Sequence, residues 1–213
     1  MNLVNYSNDS PILVSAYDPT FITRDVLPKH SLCDNLGIKT PKYEFTLAQH
    51  RHAIKSQTQI PLGVTILHTP GHTPDELALY DEAEMMLYVG DSLYENAAIM
   101  FPSEGSIISW FVWMQYLVTW AKSKNAQRKA STDESGPKEV LMNCGHQTVL
   151  KPALEMLLST IAFMNEVVEK KEEVKRKWEK NGEQFVAYQK TSGRLSLECP
   201  ERLVNEARSK RIV

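Results

Sequence analysis

The chain has 213 residues, 42% of them apolar and 23% charged, with a net charge of −2. This length and apolar share suit one domain with a sizeable core, and the charge argues against a general nucleic-acid binder, which needs a basic face to neutralise phosphates. Cys33, Cys144 and Cys199 form neither a disulfide framework nor a Cys-x-x-Cys metal knuckle, which points to a reducing, cytoplasmic setting. Asn5-Tyr6-Ser7 and Asn8-Asp9-Ser10 match the glycosylation acceptor pattern, but the polar start, Met1 to Ser10, does not read as a signal peptide. The longest apolar run, Ile107 to Ala121, is shorter than a membrane span and contains Gln115, so no membrane partner is expected.

In chain order, Pro11 to Ala16 reads as a short buried strand and Tyr17-Asp18-Pro19 as a turn. Phe21 to Leu27 reads as a short helix opened by Asp18 or Thr20, and Pro28 to Lys42 as loop. Glu44 to Ser56 reads as a strand leading into a short helix. Gly63 to His68 is a strand broken at Pro70-Gly71; Leu77 to Tyr80 and Met85 to Val89 are strands joined by a turn at Asp81-Glu82. Ser106 to Lys122 places Ile107, Trp110, Phe111, Met114, Leu117, Val118 and Ala121 on one stripe, the pattern of an amphipathic helix. Residues 123–138 are polar and read as an exposed loop. Glu139 to Met142 reads as a strand ending at Asn143. A long helix is expected over about Lys151 to Lys180, its charged end projecting into water and closed by Gly182. Gln184 to Leu197 reads as a strand pair turned at Ser192-Gly193, and Pro200 to Arg211 as a last short helix. Strands and hairpins alternating with helices imply a layered α/β or α+β fold.

Three residues carry the chemistry. His72 follows a Pro-Gly break after one strand, Asp91 follows Gly90 after another, and His146 follows Gly145 after a third. Two imidazoles and a carboxylate suit zinc or a similar divalent ion. Each also has a plain structural reading: a histidine hydrogen-bonded at a turn, or a Gly-Asp turn. His68 reads as packing or as support for a ligand, Cys144 as a small buried residue, and the Trp110, Trp113 and Trp120 set as core. His50 and His52 read as surface residues.

Thr69-Pro70-Gly71-His72-Thr73, then Gly90-Asp91, then Gly145-His146, in this order, resemble the metallo-β-lactamase fold superfamily over about Pro11 to Lys180. The resemblance implies a four-layer αββα sandwich with the metal site at one edge of paired sheets. It implies that His72 binds a first metal, Asp91 bridges two, and His146 binds the second. The implied cofactor is zinc, as one or two ions, and other divalent metals suit the same donors. It implies hydrolysis of a small ester, thioester or lactone, closer to the small-molecule branch than to the nucleases. Tyr94 stands near the expected site, where its hydroxyl can donate to a substrate carbonyl or simply pack.

The superfamily's His-x-His-x-Asp-His motif does not stand in this chain. His50-Arg51-His52 lacks the Asp-His and lies only twenty residues before His72. The expectation is therefore a single metallo-β-lactamase-like domain over 1–213 that is N-terminally incomplete, with an exposed loop at 123–138 and a C-terminal extension at 181–213. Three ligands divided between two metal positions should bind zinc weakly and leave hydrolysis impaired. The alternative expectation is a non-catalytic scaffold or interaction protein that keeps the fold without a working metal site.

Overall fold

The first described strand, β1 (Ile12–Ser15), pairs in parallel with β2 (Phe45–Ala48). The computed structural model describes residues 11–23, 25–31, 33, 36–40, 44–132 and 136–210. Both glycosylation-type sequons, at Asn5 and Asn8, lie outside the described residues. Between β1 and β2, Asp18 caps a 3-10 turn over Pro19–Ile22, its carboxylate accepting from the Thr20 N–H at 3.1 Å, and Leu27–His30 forms the short helix α1.

Six strands form the larger sheet: β3 (His52–Lys55), β4 (Pro61–His68), β5 (Leu77–Asp81), β6 (Met86–Tyr88), β8 (Leu141–Asn143) and β9 (Lys151–Pro152), adjacent in that order. The strand β7 (Ala98–Met100) belongs to a second sheet. β4, β5 and β6 are antiparallel in turn, while β6 and β8 are parallel. β4, β6 and β8 therefore run in one direction, and the loops that follow them leave the same end of the sheet. The register aligns Leu67 with Ala78, Tyr80 with Leu87, and Leu87 with Met142, so these side chains share one face; all are buried.

The helix α2 (Ile107–Ala130) begins at Ser106, whose hydroxyl accepts from the Ser109 N–H at 3.2 Å. It buries the expected stripe but runs through Ala130, so residues 123–130 are helix and not the expected loop. The polar extension has partners: Lys124 Nζ lies 2.5 Å from Glu82, Asn125 Oδ1 accepts from the Val140 N–H at 2.7 Å, and Arg128 Nε donates to the Pro137 carbonyl at 3.0 Å. The helix continues because these groups bond to neighbouring segments, not because its apolar stripe continues.

The helix α3 (Ala153–Val168) ends twelve residues before the expected Lys180. Val174–Lys180 is instead strand β10, paired antiparallel with β11 (Glu183–Gln189). Asn181 (φ 53°) and Gly182 (φ 78°) form the turn between them, the left-handed pair that a tight hairpin requires. Gly182 thus turns a hairpin and does not close a helix. β10 is an edge strand of the second sheet, ordered β10-β11-β12-β7, where β12 is Ser196–Pro200. Its run of charges fits an edge, where charged side chains discourage pairing with other chains.

The helix α4 (Glu201–Ser209) packs on β11, β12, α2 and α3. Val186, Tyr188, Leu197, Cys199, Leu203, Val204 and Ala207 join Leu67, Leu87, Trp110 and Met142 in one continuous core. The elements β11, β12 and α4 therefore contribute to the same core as the larger sheet. The fold is mixed α/β; among the described residues, the two larger sheets and the helices α2, α3 and α4 surround one core. Residues 52–55 are strand β3, not the short helix expected there.

Candidate metal centre

His72, Asp91 and His146 come together at the shared end of β4, β6 and β8. His72 Nε2 lies 3.9 Å from Asp91 Oδ2, and His146 Nε2 lies 3.9 Å from Asp91 Oδ1. The two imidazoles address different oxygens of one carboxylate. At 3.9 Å neither contact is a hydrogen bond. The His72 side chain is 16% exposed, Asp91 42% and His146 66%, so the cluster grades from buried to open.

The loop carrying His72 is tied down from both sides. The Thr69 N–H donates to the Glu76 carbonyl at 3.0 Å, and the Gly71 N–H to the Thr73 carbonyl at 3.0 Å. The first turn of α2 clamps two loops at once: the Ser106 N–H donates to the Gly71 carbonyl at 2.7 Å, and Trp110 Nε1 donates to the Ser92 carbonyl at 2.6 Å. The Asp91 N–H donates to Glu76 Oε1 at 3.2 Å, placing a second carboxyl beneath the first. Burial pushes the Glu76 carboxyl up to about 8, and the neighbouring Asp91 and Asp75 charges add to the shift.

The His146 loop closes on the Asp91 loop through backbone. The Gly145 N–H donates to the Gly90 carbonyl at 2.6 Å, and the Val89 N–H to the Asn143 carbonyl at 3.0 Å. A Cβ at residue 145 would overlap Asp91 Oδ1 and crowd the Gly90 carbonyl, so a side chain there would displace the carboxylate.

Burial lowers the pKa of His72, opposed by the Asp91 carboxylate, so the ring is biased towards the neutral form a metal ligand needs. Its Nδ1 is buried and makes no well-formed hydrogen bond, although the Met100 carbonyl is near enough to favour the protonated ring. In kind, the donors fit a divalent cation. In number, they supply an imidazole and a carboxylate oxygen on each side of Asp91, and among the described residues no three His, Cys, Asp or Glu side chains are arranged to hold one ion.

Tyr94 is 3% exposed; its ring lies 5.2 Å from that of His146, and its hydroxyl is close enough to Asp91 to feel the carboxylate. Burial, first, and the Asp91 carboxylate raise its pKa, so its hydroxyl stays protonated. Cys144 is half-buried, and burial pushes its thiol up to about 12, away from a ligating thiolate. His68 is buried, its Nε2 2.8 Å from the Ala48 carbonyl. His50 is not a free surface residue: its Nδ1 accepts from the His68 N–H at 3.0 Å, and its ring packs 5.2 Å from Trp113. His52 is exposed. Glu76, Glu95 and Thr148 each stand within four residues of a candidate donor, but no motif marks them; the tertiary fold makes their bonds, Asp91 N–H to Glu76 and Glu95 N–H to Thr148.

No protein-family model matches the chain. The chain is 26% identical over 163 residues to an Aspergillus versicolor protein named "Putative transcription factor avaE", covering 76% of this chain and 46% of that protein. It thus spans about half the length of this relative. Among solved structures, it is similar to a metallo-β-lactamase family protein from Thermus thermophilus, with 12% identity, a TM-score of 0.47 and coverage of 76% of this chain and 55% of the other. It is also similar to TTHA1623 in a di-iron-bound form, with 19% identity, a TM-score of 0.45 and coverage of 70% and 63%. Several of the similar solved structures bear the metallo-β-lactamase name.

Proposed function

We propose that His72, Asp91 and His146 are the protein donors of a weak divalent-metal site, zinc foremost, in a metallo-β-lactamase-like hydrolase acting on a small ester, thioester or lactone. The observation that carries this reading is the convergence of the two imidazoles on opposite oxygens of Asp91 at one sheet end. The chemistry supplied by a bound divalent cation is Lewis acidity and a water acidified towards neutral pH. His72, buried and biased neutral, would hold one side, His146 the other, and Asp91 would serve both. Tyr94, buried beside His146 and close to Asp91, keeps its proton, which suits it in this reading to position the carboxylate before it is a substrate contact. Among the described residues no further donor joins this cluster, which in this reading makes affinity low and hydrolysis by this chain impaired. Net charge favours a small-molecule substrate over nucleic acid. The free thiols favour a cytoplasmic setting. No helix among the described residues is long and apolar enough to cross a membrane.

The test is cobalt(II) or zinc(II) titration of the purified chain, followed by absorption and elemental analysis, with circular dichroism on the same sample. Replacing both His72 and Asp91 by Ala should weaken binding by more than about a hundredfold, beyond what changes in supporting residues cost. Equal binding by the double variant overturns the assignment. A second reading, a scaffold without metal, is favoured by the lack of three-donor geometry among the described residues; a well-folded wild-type chain that takes up no metal would establish it.

A further inference from the structure

Four residues beyond Asp91 and two beyond His146, the chain returns to a single joint. Thr148 Oγ1 accepts from the Glu95 N–H at 2.8 Å and lies 3.3 Å from the Glu95 carbonyl, to which it can donate. Both residues are buried, Thr148 2% exposed and Glu95 4%. The backbone of Thr148 also closes the His146 loop: its carbonyl accepts from the Cys144 N–H at 2.9 Å, and its N–H donates to the His146 carbonyl. The Glu95 side chain is anchored in turn. Arg194 Nε, from the turn between β11 and β12, donates to Oε1 at 2.6 Å, and Lys151 Nζ, at the start of β9, lies 3.1 Å from Oε2. His146 itself is largely exposed, and its ion-pair and ring contacts are to Asp91 and Tyr94. Little therefore fixes its position except the backbone that carries it.

We infer that the Thr148–Glu95 joint is a latch that sets the separation of His146 from Asp91, with Arg194 and Lys151 as its anchor. Thr148 and Glu95 are positioning residues in this account, not ligands. The inference rests on the reading of Asp91 and His146 as metal donors. A hydroxyl is needed at residue 148 because a single side-chain atom must answer both a backbone donor and a backbone acceptor. Valine keeps the volume and loses both bonds; serine keeps both.

The experiment compares Thr148→Val with Thr148→Ser in two readouts: cobalt(II) affinity, and hydrogen exchange at the Gly145 amide, which bonds to the Gly90 carbonyl. Thr148→Val should weaken cobalt(II) binding by about tenfold or more, as loss of a supporting hydrogen bond does, and should speed Gly145 exchange, while Thr148→Ser restores both. Unchanged exchange at Leu79 and Tyr80 shows that the sheet is intact. If Thr148→Val does not fold, Arg194→Met loosens the same joint from its anchored side and is read the same way. Wild-type affinity and Gly145 exchange in the valine variant overturn the latch, as does equal weakening by serine and valine. If the wild-type chain binds no cobalt(II), the metal reading fails, and Gly145 exchange alone decides whether the latch holds the loop.

Discussion

The two histidines of the cluster sit in unlike surroundings. His72 is 16% exposed, on a loop clamped by the first turn of α2, while His146 is 66% exposed, on a loop closed mainly by its own backbone and by Thr148. Asp91 stands between them and is half-exposed. The difference teaches that one half of the site is built into the core and the other is applied to it. The His72 half should fail only with the fold; the His146 half should fail while the fold survives.

The hardest blow to the built-in half is Trp110→Ala. Trp110 is fully buried and its indole N–H satisfies the Ser92 carbonyl, so truncation should cost about 3–5 kcal/mol in denaturant unfolding. A loss below about 1 kcal/mol would show that the clamp is not part of the core. Gly145→Ala strikes the other half. The new methyl meets Asp91 Oδ1, and the expected cost is roughly 1–3 kcal/mol together with loss of metal uptake. Wild-type metal uptake by this variant would mean that the His146 loop does not need its close approach.

The effect that moves no atom of the fold is a pH slope on the built-in side. Glu76 carries a carboxyl raised to about 8 against an ordinary value of 4.5, chiefly by burial. The native state therefore holds a proton that the unfolded chain has released across that interval. The stability this contributes is full below pH 4.5 and is lost as pH rises through about 8. In chelator, with no metal present, Glu76→Gln should gain stability relative to wild type between about pH 5 and about pH 9. Urea midpoints that keep a constant difference across that range would remove Glu76 from the account.

The proposed donors were legible because each follows a strand and a glycine in a recognisable order, and β4, β5, β6 and the apolar stripe of α2 were legible from their periodicity. The second sheet was half-legible. Gln184 to Leu197 reads as a strand pair, but Val174 and Trp178, spaced four apart among lysines and glutamates, read as a thinning helix. The Asn181-Gly182 pair carried the missing signal, since it is a hairpin dipeptide at least as much as a helix stop. The polar end of α2 hid for another reason: Lys124 and Asn125 are explained by Glu82 and Val140, partners remote in sequence. Glu76, Glu95 and Thr148 were invisible on the same ground.

The bond from Arg194 to Glu95 spans 99 residues. Its consequence is temporal. A chain emerging from the ribosome presents His72, Asp91 and His146 long before the hairpin that anchors their joint has been made. Closing so wide a loop is slow and waits on the docking of the last sheet. If the proposed site binds metal, uptake should therefore be among the last properties acquired during synthesis, and a chain arrested before Arg194 would display His72, Asp91 and His146 without the spacing the proposed site needs.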